Sequence, residues 1–211
     1  MIGVLARGAV PALFVLIWST GWIVAGYSAL YADPLTFLTL RFAIAGVLLA
    51  AICVVLAAPW PKSPREWGHA LVVGALFHGC YLAGVWWAVR HGVPAGVSGL
   101  LAATQPIMMV ALSRWALQEH ISPVRWAGIA IGFVGIALVL SPKFSVIGGT
   151  FAPLLVPIAI NMLGMISATL GSLYQKRFQQ TGDLRSMTAI QYIGAVAVTT
   201  PLAFKIGRAH V

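Results

Sequence analysis

Runs of about 20 mostly apolar residues, each long enough to cross a bilayer, recur along almost the whole chain. In hydrocarbon every backbone N–H and C=O must be paired within the protein, which leaves helices or closed barrels. The period-two alternation of barrel strands is absent. An all-α, polytopic membrane helix bundle follows, with about seven spans: 9–30, 35–58, 68–89, 93–117, 123–140, 151–175 and 187–204. Composition agrees, with 60% hydrophobic and 8% charged residues and a mean hydropathy of +0.94. A soluble domain carries roughly 25% charged residues. Ala9 to Leu30 spans by itself, which disfavours a cleavable signal peptide. Cys53 and Cys80 lie inside apolar segments, so neither a disulfide framework nor a thiolate metal site is indicated.

The breaks between runs carry turn chemistry: "YADP" (31–34), "APWPKSPREW" (58–67), "RHGVP" (90–94), "QEHISP" (118–123), "SPKFSVIGG" (141–149) and "RFQQTGDLR" (177–185). Pro34 suits the first turn of the second span. The net charge of +9 would suggest nucleic acid in a soluble chain. Here the cations sit in short breaks and report topology instead. With the N-terminus in the cytoplasm, Arg7, Lys62, Arg65, Arg114, Arg125, Lys176, Arg177 and Arg185 lie inside, against Arg90 and Lys143 outside. Trp60, Trp67, Trp115 and Trp126 fall near span ends as interfacial anchors. The final "KIGRAHV" leaves an apolar helix for a basic tail with no topological purpose. "IGRAHV" followed by a stop is one frame of a common sequencing adapter, so native sequence is expected to end near Phe204, with 205–211 as readthrough.

"WSTGWIVAGYSALYADPLTFLTLRFAIAG" resembles the opening of an EamA repeat of the drug/metabolite transporter superfamily. "AVRHGVPAGVSGLLAATQPIMMVALSRWALQEHISPVRWAGIAIGFVGIALVL" is similar to the later helices of that repeat, and "GSLYQKRF" with "DLRSMTAIQ" to the start of a second. The resemblance covers essentially all of 10–204. It implies ten helices in two inverted five-helix repeats. Residues 10–140 would be the first repeat and 151–204 the first two helices of the second. "RFAIAG" (41–46) laid on "QYIGAV" (191–196) gives faint internal support.

Several polar or aromatic residues sit where an apolar span does not need them. Arg41 lies about 10 Å inside the second span at 1.5 Å per residue. It can snorkel toward water or toward Asp33, and is either a positional anchor or interhelix pair, or the anion-attracting wall of an outward-opening cavity. On span four Ser98, Ala102, Gln105 and Met109 recur at helical spacing beside Thr104. Pro106 frees a carbonyl near Ala102, as an interrupted, cavity-lining helix would; the alternative is a Gln bonded to a neighbouring helix. His78 and Tyr81 share a face of span three, and His78 titrates in a range suited to proton coupling. A neutral His satisfied by a backbone carbonyl is the bland alternative. Trp18 and Trp22 on span one either stack on a substrate or pack. Asn161, Met165, Ala168 and Ser172 form a further stripe on span six. Glu119 reads as a loop contact with His120 and Arg125, and "GIAIGFVG" (128–135) as small residues for close helix packing.

The resemblance implies a secondary transporter, an exporter of small metabolites or amino-acid-like compounds, working by alternating access in a bacterial-type plasma (inner) membrane. Its cavity is expected between spans one, three, four and six. The candidate residues are Trp18, Trp22, Arg41, His78, Tyr81, Ser98, Gln105 and Asn161. A non-transporting assembly subunit stays open as an alternative. An intramembrane enzyme would need paired carboxylates, a Ser–His pair or clustered ligands, and His78 and Cys80 face different sides. No catalytic residue, metal or cofactor is expected. The expected partners are the lipid bilayer and a small-molecule substrate, with a homodimer left open and no nucleic acid. With helices eight to ten absent the cavity would lack a wall, so this chain alone is not expected to transport.

Overall fold

The computed structural model describes residues 2–116, 118, 120, 122–146 and 152–206, and among these it is helical with no strand. The helices are α1 (Ile2–Tyr31), α2 (Pro34–Val55), α3 (Pro64–Val73), a π-helical segment (Gly74–Cys80), α4 (Tyr81–Arg90), α5 (Ala95–Ala102), α6 (Gln105–Ala116), α7 (Pro123–Val146), α8 (Ala152–Phe178) and α9 (Leu184–Ile206). The α3, π and α4 pieces make one span, Pro64–Arg90. Among the described residues six helices are long and apolar enough to cross a membrane. The remaining expected span, 123–140, falls on α7, whose side chains are described only in part. Glu119, the side chains of Trp115 and Lys143, and residues 207–211 lie outside the described residues, whereas Lys205 and Ile206 continue α9.

The helix starts follow from local chemistry. Asp33 caps α2, its Oδ1 accepting from Thr36 N and Thr36 Oγ1, both at 2.8 Å, with Pro34 in the first turn. One orphan backbone donor and one hydroxyl are satisfied this way, and the Asp33 carboxylate is committed to the cap. Ser63 and Glu66 form a reciprocal capping box at α3, the arrangement in which side chain and backbone satisfy each other. Gly92 and Gly182 turn the chain at φ +95 and +110, where a Cβ would be strained. The break expected at Pro106 appears as the gap between α5 and α6. There Thr104 Oγ1 donates to Leu101 O at 2.6 Å.

At the start of α9 the Asp183 carboxylate accepts from Arg185 through Nε (3.0 Å), Nη2 (2.7 Å) and the backbone N (2.8 Å). These hydrogen bonds hold its pKa at about 2, below the ordinary 3.8. A depressed carboxyl contributes stability above its unfolded pKa and loses it as pH falls through the folded one. Asp183→Asn is therefore expected to lower thermal stability slightly at pH 7 and to leave it unchanged near pH 2. Unfolding scans at both pH values check this.

The core joins α1, α2, α4, α8 and α9 through Ala25, Leu38, Phe42, Tyr81, Val85, Trp86, Met165, Ala168 and Ala195. The most extensive helix–helix interface joins α2 to α9, followed by α9 against the π segment. Glycines set these distances. A Cβ on Gly74 would lie 1.9 Å from Gln191 O, and one on Gly194 would lie 2.2 Å from Leu71 O. Span three meets α8 in the same way, where Gly84 and Gly164 each face the other helix's backbone at 2.9 Å. Small residues let membrane helices approach to backbone contact, where packing is the main attraction. The expected close-packing stretch 128–135 behaves differently. Gly132 meets Ile107 at 3.0 Å, but Gly128 and Gly135 have nothing within 4 Å. Large apolar side chains on the outside of α1 and α2, such as Leu16, Ile23, Leu40 and Val47, are exposed, as a lipid-facing surface requires.

Candidate functional site

A cavity of about 240 Å³ opens between α1, α2, the π segment, α4 and α9. Its wall includes Trp18 and Trp22 from α1, Arg41 and Phe42 from α2, Phe77 and His78 from the π segment, Tyr81 and Trp86 from α4, and Tyr192 from α9. Five residues singled out in the sequence, Trp18, Trp22, Arg41, His78 and Tyr81, thus share one space. Phe42, Trp86 and Tyr192 complete it. The π segment widens span three at the cavity, and π-helical turns recur at functional sites. One of its carbonyls, Leu76 O, accepts from Ser167 Oγ of α8 at 3.0 Å.

Arg41 is exposed at the cavity wall and its guanidinium lies over the Trp86 ring, 5.9 Å from the centroid. Pairing with Asp33, one of the two anchoring arrangements, does not occur, because Asp33 caps its own helix. Trp86 also stacks on Phe37, with centroids 5.2 Å apart. That holds its face toward the guanidinium, an attraction of about 0.5–2 kcal/mol.

His78 sits on the cavity floor beside Tyr192 (ring centroids 5.2 Å apart) and Phe42 (6.4 Å). Its Nε2 lies 3.3 Å from Gln191 Oε1, and Gln191 Nε2 donates to Gln179 Oε1 at 3.2 Å. Which of Nε2 and the Gln191 amide donates follows the His78 tautomer. The partner of His78 is therefore a buried side-chain amide on α9 and not the backbone carbonyl of the bland alternative. The thread runs from the cavity to Gln179, at the other end of span six.

Ser98, Gln105 and Asn161 lie outside this cavity. Ser98 and Asn161 are both fully buried and bonded to each other, Asn161 Nδ2 donating to Ser98 Oγ. This ties α5 to α8. The cavity consequently takes its walls from spans one, two, three and seven, where spans one, three, four and six were expected. The stripes of spans four and six meet at Ser98 and Asn161. Span seven enters because Gly74 and Gly194 bring α9 against span three.

A second, almost wholly apolar cavity of about 300 Å³ lies between α2 and α9 and reaches Trp60. It shares only Phe42 and Tyr192 with the first. These rings stack at 6.0 Å and 28°. The pair is the partition between the two spaces. Tyr192 and Gln191 were missed in the sequence, although the faint match of 41–46 to 191–196 sets Arg41 against Gln191 and Phe42 against Tyr192.

Residues 8–141 match the model of the EamA-like transporter family. The chain is 28% identical over 192 residues to "Uncharacterized transporter YvbV" of Bacillus subtilis, covering 88% of this chain and 59% of the relative. It is 29% identical over 171 residues to "Uncharacterized inner membrane transporter YedA" of Escherichia coli K12, covering 81% and 53%. A more distant relative, at 24% over 140 residues, covers 65% of this chain and 44% of itself. It is "Probable amino-acid metabolite efflux pump" of Salmonella typhimurium. The chain thus spans little more than half the length of the first relatives it matches. No solved structure gives a significant match.

Proposed function

The chain belongs to the EamA-like transporter family, and on that premise we propose that it forms the substrate-binding part of a secondary exporter of small metabolites or amino-acid-like compounds. The exporter works by alternating access in an inner membrane, with the N-terminus in the cytoplasm. The observation that carries this reading is the cavity holding Arg41 and His78 among aromatic rings in an apolar bundle. Intramembrane ionisable side chains are costly and mark substrate or ion pathways. The relatives named as transporters, one of them as an efflux pump, support the general role and the direction.

A ten-helix arrangement in two inverted repeats belongs to the same proposal. It draws support from the stacking of Phe42 on Tyr192. These residues are matched in the internal alignment, and two-fold-related elements meet through matching surfaces. Rocking of the halves about this contact would expose the cavity to one side and then the other.

Inside-out vesicles carrying the complete reading frame, offered a panel of radiolabelled amino acids and related amphipathic metabolites, test the proposal. At least one compound should accumulate faster than in vesicles without the protein. In the same assay His78→Phe should lower accumulation at least tenfold, because it removes the Gln191 partner at the cavity floor. Accumulation no different from the control across the panel contradicts the transport reading.

A further inference from the structure

We propose that the cavity takes an organic anion with a flat apolar body, its oxyanion gripped by Arg41 and its body held among the rings of Trp18, Trp22 and Trp86. The assignment rests on the cavity being the transport site and adds the class of cargo.

The charge inventory leads to it. The sequence has four acidic side chains, Asp33, Glu66, Glu119 and Asp183. Asp33 is committed to the α2 cap, Glu66 to the capping box and Asp183 to Arg185. Glu119 lies outside the described residues. Among the described residues Arg41 has no ion pair or hydrogen bond, only the Trp86 ring at 5.9 Å. A guanidinium about 10 Å inside an apolar span is costly unless something answers its charge. The ring offsets part of that cost and leaves the N–H fork free. This fork matches the two oxygens of a carboxylate or phosphate, and such charge-assisted pairs are the strong hydrogen bonds.

The remaining wall selects the body. Trp18, Trp22, Phe42, Phe77, Tyr81 and Tyr192 offer rings on several sides, and stacked or edge-on ring pairs add attraction beyond buried area. His78 pairs with Gln191 and supplies no negative charge in either tautomer, so among the described residues of the wall a cationic ligand finds no counter-ion. A volume of about 240 Å³ is the room of about eight waters at roughly 30 Å³ each. That suits a molecule of one or two rings. The same chemistry, an oxyanion on an apolar body, also describes a phospholipid headgroup entering from the bilayer, and the test separates the two.

The test is equilibrium binding of radiolabelled 2-naphthoate and of its neutral counterpart 2-naphthamide to the purified protein in nanodiscs. One set of discs is zwitterionic and the other contains phosphatidylglycerol. The protein should bind naphthoate at least tenfold more tightly than naphthamide in both. Arg41→Gln should bring naphthoate down to the naphthamide level with naphthamide changed less than twofold, and Arg41→Lys should keep a reduced preference. Equal binding of the two probes, binding of neither, or a preference surviving Arg41→Gln overturns the proposal. So does a preference that vanishes in anionic discs, with less phosphatidylglycerol retained by Arg41→Gln, because Arg41 is then a headgroup anchor. Vesicle flux without charge-selective binding removes only the anion assignment. Charge-selective binding without flux removes only the transport reading.

Discussion

Gly74→Ala should destabilise the folded protein strongly. The added Cβ would stand 1.9 Å from Gln191 O and 2.5 Å from its carbonyl carbon. Both are backbone atoms with no rotamer to yield, so span three and α9 must separate. Overpacking a well-filled interior costs about 1–3 kcal/mol, and a clash with backbone belongs at the upper end. Separation also strains the 3.3 Å contact between His78 and Gln191, so packing and site fail together. Gly68→Ala is the control: it lies in α3 with nothing within 4 Å of the new Cβ. An alanine gains up to about 1 kcal/mol over glycine in a helix interior. Thermal midpoints in detergent should fall by roughly 10 °C for Gly74→Ala and stay level or rise for Gly68→Ala. Equal midpoints for the two variants would show that the close approach of α9 is wrong.

Phe42→Ala should have an effect as large or larger. Phe42 is 2% exposed, sits in the central cluster and faces His78 and Tyr192. Truncating a buried phenylalanine costs about 3–5 kcal/mol through lost contacts and the cavity left behind. Here the void also joins the two cavities that Phe42 and Tyr192 keep apart. Tyr192→Ala should cost less, since Tyr192 is only partly buried. The double variant should fall short of the sum by about 0.5–1.5 kcal/mol, the usual coupling of a ring pair. Unfolding of both single variants and the double variant measures this. Additive losses would mean that the rings do not act as one partition.

The spans were legible in the sequence because the bilayer imposes one requirement, a long apolar run with its backbone paired internally. Their ends were legible where cap and turn residues stand, as at Asp33–Pro34 and in the break before Pro106. The grouping of Trp18, Trp22, Arg41, His78 and Tyr81 was harder. Depth and helix face could be read for each, but not which helices meet. Glycines decide that, and a glycine in an apolar run gives no sign of what it faces. Gly128 and Gly135, in the more motif-like stretch, face nothing within 4 Å, while Gly74 and Gly194 touch backbone. Ser98 and Asn161 carried true polar signals that one sequence could not pair. Their bond to each other removes them from the cavity wall.

The cavity within the bundle should be open to water, and cysteine accessibility tests this most directly. In a background with Cys53→Ala and Cys80→Ala, Leu82→Cys places a thiol on the cavity wall. Leu40→Cys places one on the exposed outer side of α2, where Leu40 is 59% accessible. A membrane-impermeant anionic thiosulfonate should label Leu82→Cys from the outer side and leave Leu40→Cys unlabelled, while a lipid-soluble maleimide should label Leu40→Cys. If the aqueous reagent fails to reach Leu82→Cys from either side while the maleimide reaches it, the space is filled by lipid and the transport site is not there.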